Sequence, residues 1–563
     1  MDIKRKTISP WLETVPETRR YAPLKGATEA EVAIIGGGIE GVTAAWILAK
    51  AGVRTILLEK NHIGTGDSSA TTGFLTRVPD TSASGLAKDY GLPFVQNIFA
   101  ASQGIQQDIF KRIQENRIDC DFVPCTSYYG SYINNDEVLA AEWKTYQHTG
   151  KEISLAKATP PFAEAVAFAH EGKAHIRKYL FGLLEHLKGS PLIVHEESEV
   201  TNLEVNADGV TLTTSGGTVK AKKVLVLVGN PKELLPECAT LLEPKVSYVL
   251  AARYPKVPLS KDLFWDTLDP YFYYRAIDEH TLIIGGCDIE FSAIGGSASG
   301  GDKTGTQKPF EKLEAFLKEH FPGAYQITHQ WSGSIFHTTD GLPFADEHPH
   351  YKGKVYVGMG LGGNGLVFGS FCATVLANYA MGTPHPHAEL LSFKRTKAVI
   401  PAPAAKRKST GIKKFVPFAK LAELAHGKPV AKTIEGKEIA LFKVGNDFHA
   451  MCNTCTHAGG SLCQGSLECK IIECPLHAAR FDVTTGEVVG PPASRGVEKF
   501  ATRTSGDTLE VEVEVGGAEG SLARSHLASQ GETLNRKTTL PMLIKFSALA
   551  LAFWGIQFAT QYF

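Results

Sequence analysis

The chain has 563 residues, 43% of them apolar and 21% charged, with a formal net charge of −1. That length allows roughly three or four structural units with large cores, and the near-neutral balance excludes a global pull toward nucleic acid or anionic lipid. Ten cysteines are unevenly spaced, half of them between 452 and 474, which is not the pattern of a secreted disulfide scaffold.

The N-terminus, MDIKRKTISPW, carries charge without an apolar run. No signal peptide is legible there, and the expected compartment is reducing and cytoplasmic. Residues 1–30 read as a lead-in arm. Val32 to Ile35 then predicts a short buried parallel strand. Gly36, Gly38 and Gly41 supply G-x-G-x-x-G: a tight turn, a backbone that a pyrophosphate can approach, and a helix packed close on its strand. Thr43 to Lys50 predicts that helix, its N-terminus toward the phosphates, and Gly52 ends it. Arg54 to Leu58 is the next strand. Glu59 at its end is placed to accept hydrogen bonds from the ribose hydroxyls of an adenosine, with Lys60 beside it. The order strand, glycine turn, helix, strand, acid predicts dinucleotide binding; the alternative is a glycine-rich helix start with no ligand.

Directly behind lies Gly64-Thr-Gly-Asp-Ser-Ser-Ala-Thr-Thr-Gly-Phe-Leu. Gly66, Ser68, Thr71, Thr72 and Gly73 are small or hydroxylated and can lie against a cofactor; otherwise the stretch is an ordinary polar loop. Helical patterns alternate with short strands over 83–150, and 173–188 predicts another helix. Residues 192–229 read as strands, with a Gly216-Gly217 hairpin turn and an apolar strand ending at Gly229. Residues 244–300 are strand-rich and include WDTLDPYFYYR at 265–275. A helix is expected at 309–319 and an apolar strand at 354–359. A second glycine-rich turn, Gly362-Gly363-Asn364-Gly365-Leu366, runs into a helix.

The first glycine motif with Glu59, the strand ending at Gly229, Thr339-Asp340-Gly341-Leu342-Pro343 and the second glycine turn follow one another as in the D-amino-acid oxidase-like FAD oxidoreductases, which this chain resembles over about 30–390. The resemblance implies FAD rather than NAD, cofactor and substrate domains interleaved in sequence, and hydride transfer to flavin from an amine, amino acid or 2-hydroxy acid; no cysteine stands in a context that argues for a covalent flavin, so non-covalent FAD is expected. It also implies that Gly362 to Leu366 contact the flavin ring and that the Val200 region faces the adenine. Tyr271, Tyr273, Tyr274 and Arg275 form an aromatic–cationic cluster that either clamps a substrate carboxylate or holds Arg275 in a structural ion pair. His337 and Tyr248 are further pocket candidates, and His337 reads equally as a structural histidine.

Residues 396–414 read as a linker rich in Pro, Ala and basic residues. Beyond it, Cys455-Thr-His457 and Cys474-Pro-Leu-His477 offer two thiolates and two imidazoles. That inventory suits zinc or a Rieske [2Fe–2S] cluster. The flanks, Cys455-Thr-His-Ala-Gly-Gly-Ser-Leu and Cys474-Pro-Leu-His-Ala-Ala-Arg-Phe-Asp, resemble Rieske ferredoxin domains throughout 415–515. By that resemblance Cys455, His457, Cys474 and His477 are the ligands. Gly460 and Leu476 stand where respiratory Rieske proteins carry a disulfide, and Ala479 and Phe481 replace their donors to the cluster sulfurs, so a low potential is expected. Cys452, Cys463 and Cys469 read as ordinary thiols.

After a polar stretch at 517–539, Phe546 to Phe563 is 18 residues without a charge, at the lower edge of a membrane span. The expectation is a hydrophobic C-terminal helix over 540–563 attached to the cytoplasmic face of a membrane; the alternative is a helix docked on the protein's own core. The expected architecture is therefore an α/β (α+β) FAD-binding Rossmann-like domain interleaved with a substrate domain across 31–395, an all-β Rieske domain at 415–516, and that helix. FAD-binding parts are expected at about 31–90, 150–240 and 331–395, and substrate-binding parts at 91–149 and 241–330. The expected function is a membrane-associated flavin dehydrogenase passing electrons singly through the Rieske centre to a quinone or redox protein, with no nucleic-acid partner. The alternative reverses the flow, feeding the flavin for a reduction or monooxygenation.

Overall fold

The computed structural model describes the chain from residue 6 to residue 515, apart from 17–19, 158–160, 257, 291–303, 397–399, 401–402, 404–411, 426, 457–458, 476–478, 491–492 and 494–495. The expected hydrophobic C-terminal helix and the polar stretch before it lie outside the described residues. Among the described residues, no helix is long and apolar enough to cross a membrane.

The glycine motif sets the first sheet. Its strands run in the order Phe344–Glu347, Val355–Met359, Gly217–Val226, Gly26–Ile35, Thr55–Leu58, Leu192–His195. Neighbours are parallel except for the antiparallel edge Phe344–Glu347. Such a sheet is covered on both faces, and Thr55–Leu58 is buried at every position. The expected helix at 43–50 begins earlier, at Ile39. Gly41 does not interrupt it: a Cβ there would lie 1.8 Å from the carbonyl oxygen of Gly36, so the glycine permits close packing within the first turn. Gly36 itself turns at φ +108° beneath the Leu227 carbonyl. Helix Gly365–Met381, which follows the second glycine turn, packs against Ile39–Lys50.

The second sheet runs Gln326–His337, Glu243–Arg253, Thr281–Glu290, Phe272–Ala276, Leu263–Asp266, Val123–Ser131, Glu164–Lys173, Phe74–Leu75. The interleaving is finer than the sequence boundaries suggest. Phe74–Leu75, Glu164–Lys173 with its partner Ile153–Lys157, and Gln326–His337 all fall wholly or partly in stretches expected to be cofactor-binding, yet they pair in the second sheet. An apolar run announces a strand, but its partner lies far along the chain and leaves no local mark.

The N-terminal arm is docked rather than loose. Lys6 bridges to His329 on the second sheet, and helix Pro10–Thr14 buries Trp11. At the other end, Ile412–Lys420 pairs with Thr508–Val515, and three small antiparallel sheets form the all-β domain. One apolar cluster runs from Tyr248, Tyr274 and Phe316 of the second-sheet region into Phe442, Met451, Cys455 and Cys474 of the β domain.

Candidate functional site

A cavity of about 210 Å³ lies where the two glycine turns meet the second sheet. Its wall contains Ser68, Thr71, Thr72, Gly229 and the whole run Gly362–Leu366. Gly66 sits one step back, as the N-cap of the short helix Asp67–Ala70. Asn364 fastens the second turn: its Nδ2 donates to the carbonyls of Thr76 at 2.7 Å and Val78 at 2.6 Å. Its Oδ1 is buried with no hydrogen-bond partner among the described residues, an acceptor held ready for a ligand donor.

The loop leading into the cavity is fastened at three successive carbonyls by three remote side chains. Trp331 Nε1 donates to Ala70 at 2.9 Å, Trp11 Nε1 to Thr71 at 2.6 Å, and Arg275 Nε to Thr72 at 2.5 Å. Gly73 follows at φ +76°, where a Cβ would lie 2.5 Å from the Ala174 carbonyl oxygen and 2.7 Å from an Arg275 nitrogen. Arg275 is thus not a carboxylate clamp. It is buried, its remaining donors face the carbonyls of Ala276 and Ala174, and its guanidinium lies 5.3 Å from the Trp11 ring centre. Burial pulls it down to about 9. Nor is it in the expected ion pair: backbone oxygens take that place. Neither Trp11 nor Trp331 was singled out from sequence; a buried indole's need for an acceptor is the signal that could have done so.

Strand alternation divides the aromatic cluster. Tyr271 and Tyr273 line the cavity, whereas Tyr274 turns into the apolar core and stacks on Phe264 at 5.1 Å. Tyr248 also faces that core, while its neighbours Ser247 and Val249 line the cavity. The sequence reading missed two carboxylates. Asp80 lines the cavity and accepts the Gly363 N–H at 2.5 Å, with His337 Nδ1 3.9 Å away. Asp288 accepts the Tyr271 hydroxyl at 3.0 Å. Burial pushes Asp80 up to about 6 and also raises Asp288. His337 is lowered by burial, then by Lys245.

The dinucleotide end fits a cofactor in the same way. A Cβ on Gly37 would collide with Ile63 at 2.6 Å and crowd Glu59 at 3.0 Å, so a glycine there lets the turn pack directly on the acid that follows the second strand. Glu59 accepts from the N–H groups of Gly37 at 2.7 Å and Asn61 at 2.8 Å. Each carboxylate oxygen retains further acceptor capacity. Lys60 is exposed. Val200 is a buried residue of strand Val200–Asn206, paired with Thr214.

In the β domain, Cys455 and Cys474 are each 2% exposed. Their loops close alike. The N–H of Cys455 donates to the Gly460 carbonyl, and that of Cys474 to the Ala479 carbonyl, each at 2.7 Å. Asn453 braces the first loop, accepting from Cys463 N at 2.8 Å and donating to Ser461 Oγ at 2.9 Å. Two matched loops with buried thiols fit the thiolate half of a [2Fe–2S] centre. His457 and His477, expected on the second iron, lie outside the described residues. Cys452 and Cys463 are half-buried and Cys469 is exposed.

The model of FAD dependent oxidoreductases matches residues 31–379. The chain belongs to that family. The Rieske [2Fe-2S] domain model matches residues 414–501, and the cofactors of this oxidoreductase are FAD and a [2Fe–2S] cluster. It is similar to the Bacillus subtilis (strain 168) protein YhfW, described as a Rieske 2Fe-2S iron-sulfur protein, at 26% identity over 87% of this chain and 96% of that one. It is also similar to γ-glutamylputrescine oxidoreductase of Escherichia coli (strain K12), at 24% identity over 64% of this chain and 87% of the relative. Glycine oxidase from Geobacillus kaustophilus shares the fold with a TM-score of 0.53 at 20% identity, over 65% of this chain and 99% of that one.

Proposed function

We propose that this oxidoreductase is an amine dehydrogenase whose electrons leave singly through its Rieske centre. The observation that carries the reading is the presence, in one chain, of a flavin-type cavity on one face of the second sheet and of two buried, matched cysteine loops packed in the apolar cluster that covers the other face of that sheet. FAD, held by Ser68, Thr71, Thr72 and Gly362–Leu366, would supply a hydride acceptor, so that a neutral amine losing hydride from its adjacent carbon would give an iminium for water to hydrolyse to a carbonyl compound and ammonium. A cluster held at Cys455 and Cys474 would supply one-electron transfer, toward a quinone or redox protein in this reading. The chain's part is to shape the cavity: Asn364 and the Ala70–Thr72 fastenings set its wall, and Tyr271, Tyr273 and Phe336 exclude water from it.

Ala479 and Phe481 are both fully buried and have no hydroxyl to donate to cluster sulfur, which supports a low potential for this centre. We also propose that residues 540–563 attach the protein to the cytoplasmic face of a membrane; the charge-free run Phe546 to Phe563 within them supports this, and deleting them should move the protein to the soluble fraction with flavin reduction intact. The main test is anaerobic mixing with candidate amines, following flavin absorbance and the paramagnetic signal of the reduced cluster. Bleaching followed by the cluster signal supports the dehydrogenase. Flavin reduced only when a reductase supplies electrons through the cluster reverses the direction of flow.

A further inference from the structure

Beside its hydroxyl-bearing Ser and Thr residues, the cavity wall carries the carboxylates of Asp67 and Asp80. The Tyr271 hydroxyl hydrogen is committed to Asp288, so its oxygen and ring face offer negative charge. The hydroxyls of Ser247 and Tyr273 are tied to each other at 3.0 Å. Asp288 Oδ1 is buried and, apart from the Ser247 hydroxyl beside the carboxylate, has no hydrogen-bond donor among the described residues. Among the described residues lining the cavity there is no Lys, Arg or His.

The local charge does not balance. Asp80 and Asp288 lie within electrostatic reach of one another and of His337. Lys245, two residues before Ser247 on strand Glu243–Arg253, is the cation acting on Asp80. Its charge answers one carboxylate; among the described residues the other is left to His337, whose own charged form burial disfavours. A buried carboxylate is costly unless paired. The arginine nearest in sequence, Arg275, is held by backbone carbonyls and cannot receive a substrate carboxylate.

We propose that the cavity takes a dication-forming amine, an α,ω-diamine or its close kin, and holds the non-reacting ammonium between Asp80 and the Tyr271–Asp288 pair. This rests on the reading of the site as an amine dehydrogenase. The division of labour is chemical: the nitrogen next to the reacting carbon must be neutral to release hydride, so the recognised charge belongs to the other end of the substrate. Tyr271, Tyr273 and Trp265 add ring faces suited to a cation. A substrate carrying a carboxylate in place of that ammonium would meet Asp80 with like charge.

The test uses the oxidised holoprotein with both cofactors. The probes are the homologous diamines from propane to hexane, the monoamines of equal length, and the matching ω-amino acids. Thermal melting and the perturbation of flavin absorbance report binding. The best diamine should half-saturate at about tenfold lower concentration, or less, than its ω-amino acid, the worth of one charge-assisted hydrogen bond. It should also raise the melting temperature where the amino acid does not. Asp80→Asn should erase the difference between the diamine and the monoamine, and Asp80→Glu should retain part of it. The proposal is overturned if the ω-amino acid binds as tightly as the diamine, if no diamine binds, or if Asp80→Asn leaves the preference intact. Bleaching is scored separately. A diamine that binds in an Asp80-dependent way without ever reducing the flavin supports the cation site and overturns the dehydrogenase reading. Bleaching by carboxylate-bearing amines with no cation preference does the reverse.

Discussion

The guanidinium of Arg275 and the carbonyl of Thr72 meet at 2.5 Å across 203 residues of chain, and this bond fixes the wall of the cavity rather than any substrate. Arg275→Met would leave the carbonyls of Thr72 and Ala174 without their donor, at about 1–3 kcal/mol for a buried group. The expected outcome is a lower melting temperature and weaker FAD retention. Trp11→Phe, which removes one donor from the same loop, should do so more mildly, by about 1 kcal/mol. Titrating apoprotein with FAD checks both. A residue that clamped substrate would instead raise KM and leave FAD affinity alone.

Glu59 offers a second check at the far end of the cofactor. Its carboxylate accepts from Gly37 and Asn61 and is placed to accept from a ribose as well. Glu59→Ala should weaken FAD binding by about tenfold or more, since hydrogen bonds to a charged group contribute roughly 1.5–3 kcal/mol. Equilibrium dialysis of FAD against the variant measures it, and unchanged affinity would separate Glu59 from the ribose.

Asp80 makes stability depend on pH. Burial pushes its carboxyl up to about 6, while the Gly363 N–H and Lys245 act in the opposite direction. Because the folded protein holds this proton more tightly than the unfolded chain, its contribution is fully present below the unfolded value. It is lost as pH rises through about 6. Asp80→Asn keeps an acceptor for Gly363 and cannot ionise. The variant's melting temperature should therefore exceed that of the parent by an amount that grows from about pH 4 to about pH 7 and then levels off. A flat difference would mean that His337 and Lys245 already compensate the charge.

Cys474→Ser changes one atom in a loop closed by the Ala479 carbonyl, so the apolar packing around it survives. A hydroxyl is a poor ligand for the iron, and the cluster should be lost or badly destabilised. Substrate should still bleach the flavin at close to the parental rate, while turnover with a one-electron acceptor collapses. Normal turnover would take the cluster off the electron path. Loss of flavin reduction would show that the β domain supports the cavity itself.

Sequence showed what glycine, cysteine and strand periodicity encode locally. The turn Gly36–Gly41, the second turn at Gly362–Leu366 and the cysteine loops all lie where their residue types demand. What it hid is what depends on distant partners. Tyr273, Tyr274 and Arg275 are adjacent in sequence yet serve the cavity, the core and the loop fastening, because a strand turns alternate residues to opposite faces. Asp80 and Asp288 come from separate elements and carry no motif, so their meeting at Tyr271 and Gly363 is visible only in three dimensions. Strand Glu164–Lys173 gave no sign of which sheet it would join.

The apolar cluster that takes in both Phe316 and Cys474 has a kinetic meaning. A carrier domain that swings on a tether between donor and acceptor must diffuse, and its rate falls as the medium thickens. Here the β domain is seated on the same core as the substrate sheet, with no swing to make. Passage of electrons between the two cofactors should therefore be insensitive to glycerol or sucrose in rapid-mixing measurements, and whatever slowing such solutes cause should fall on the encounter with the external acceptor.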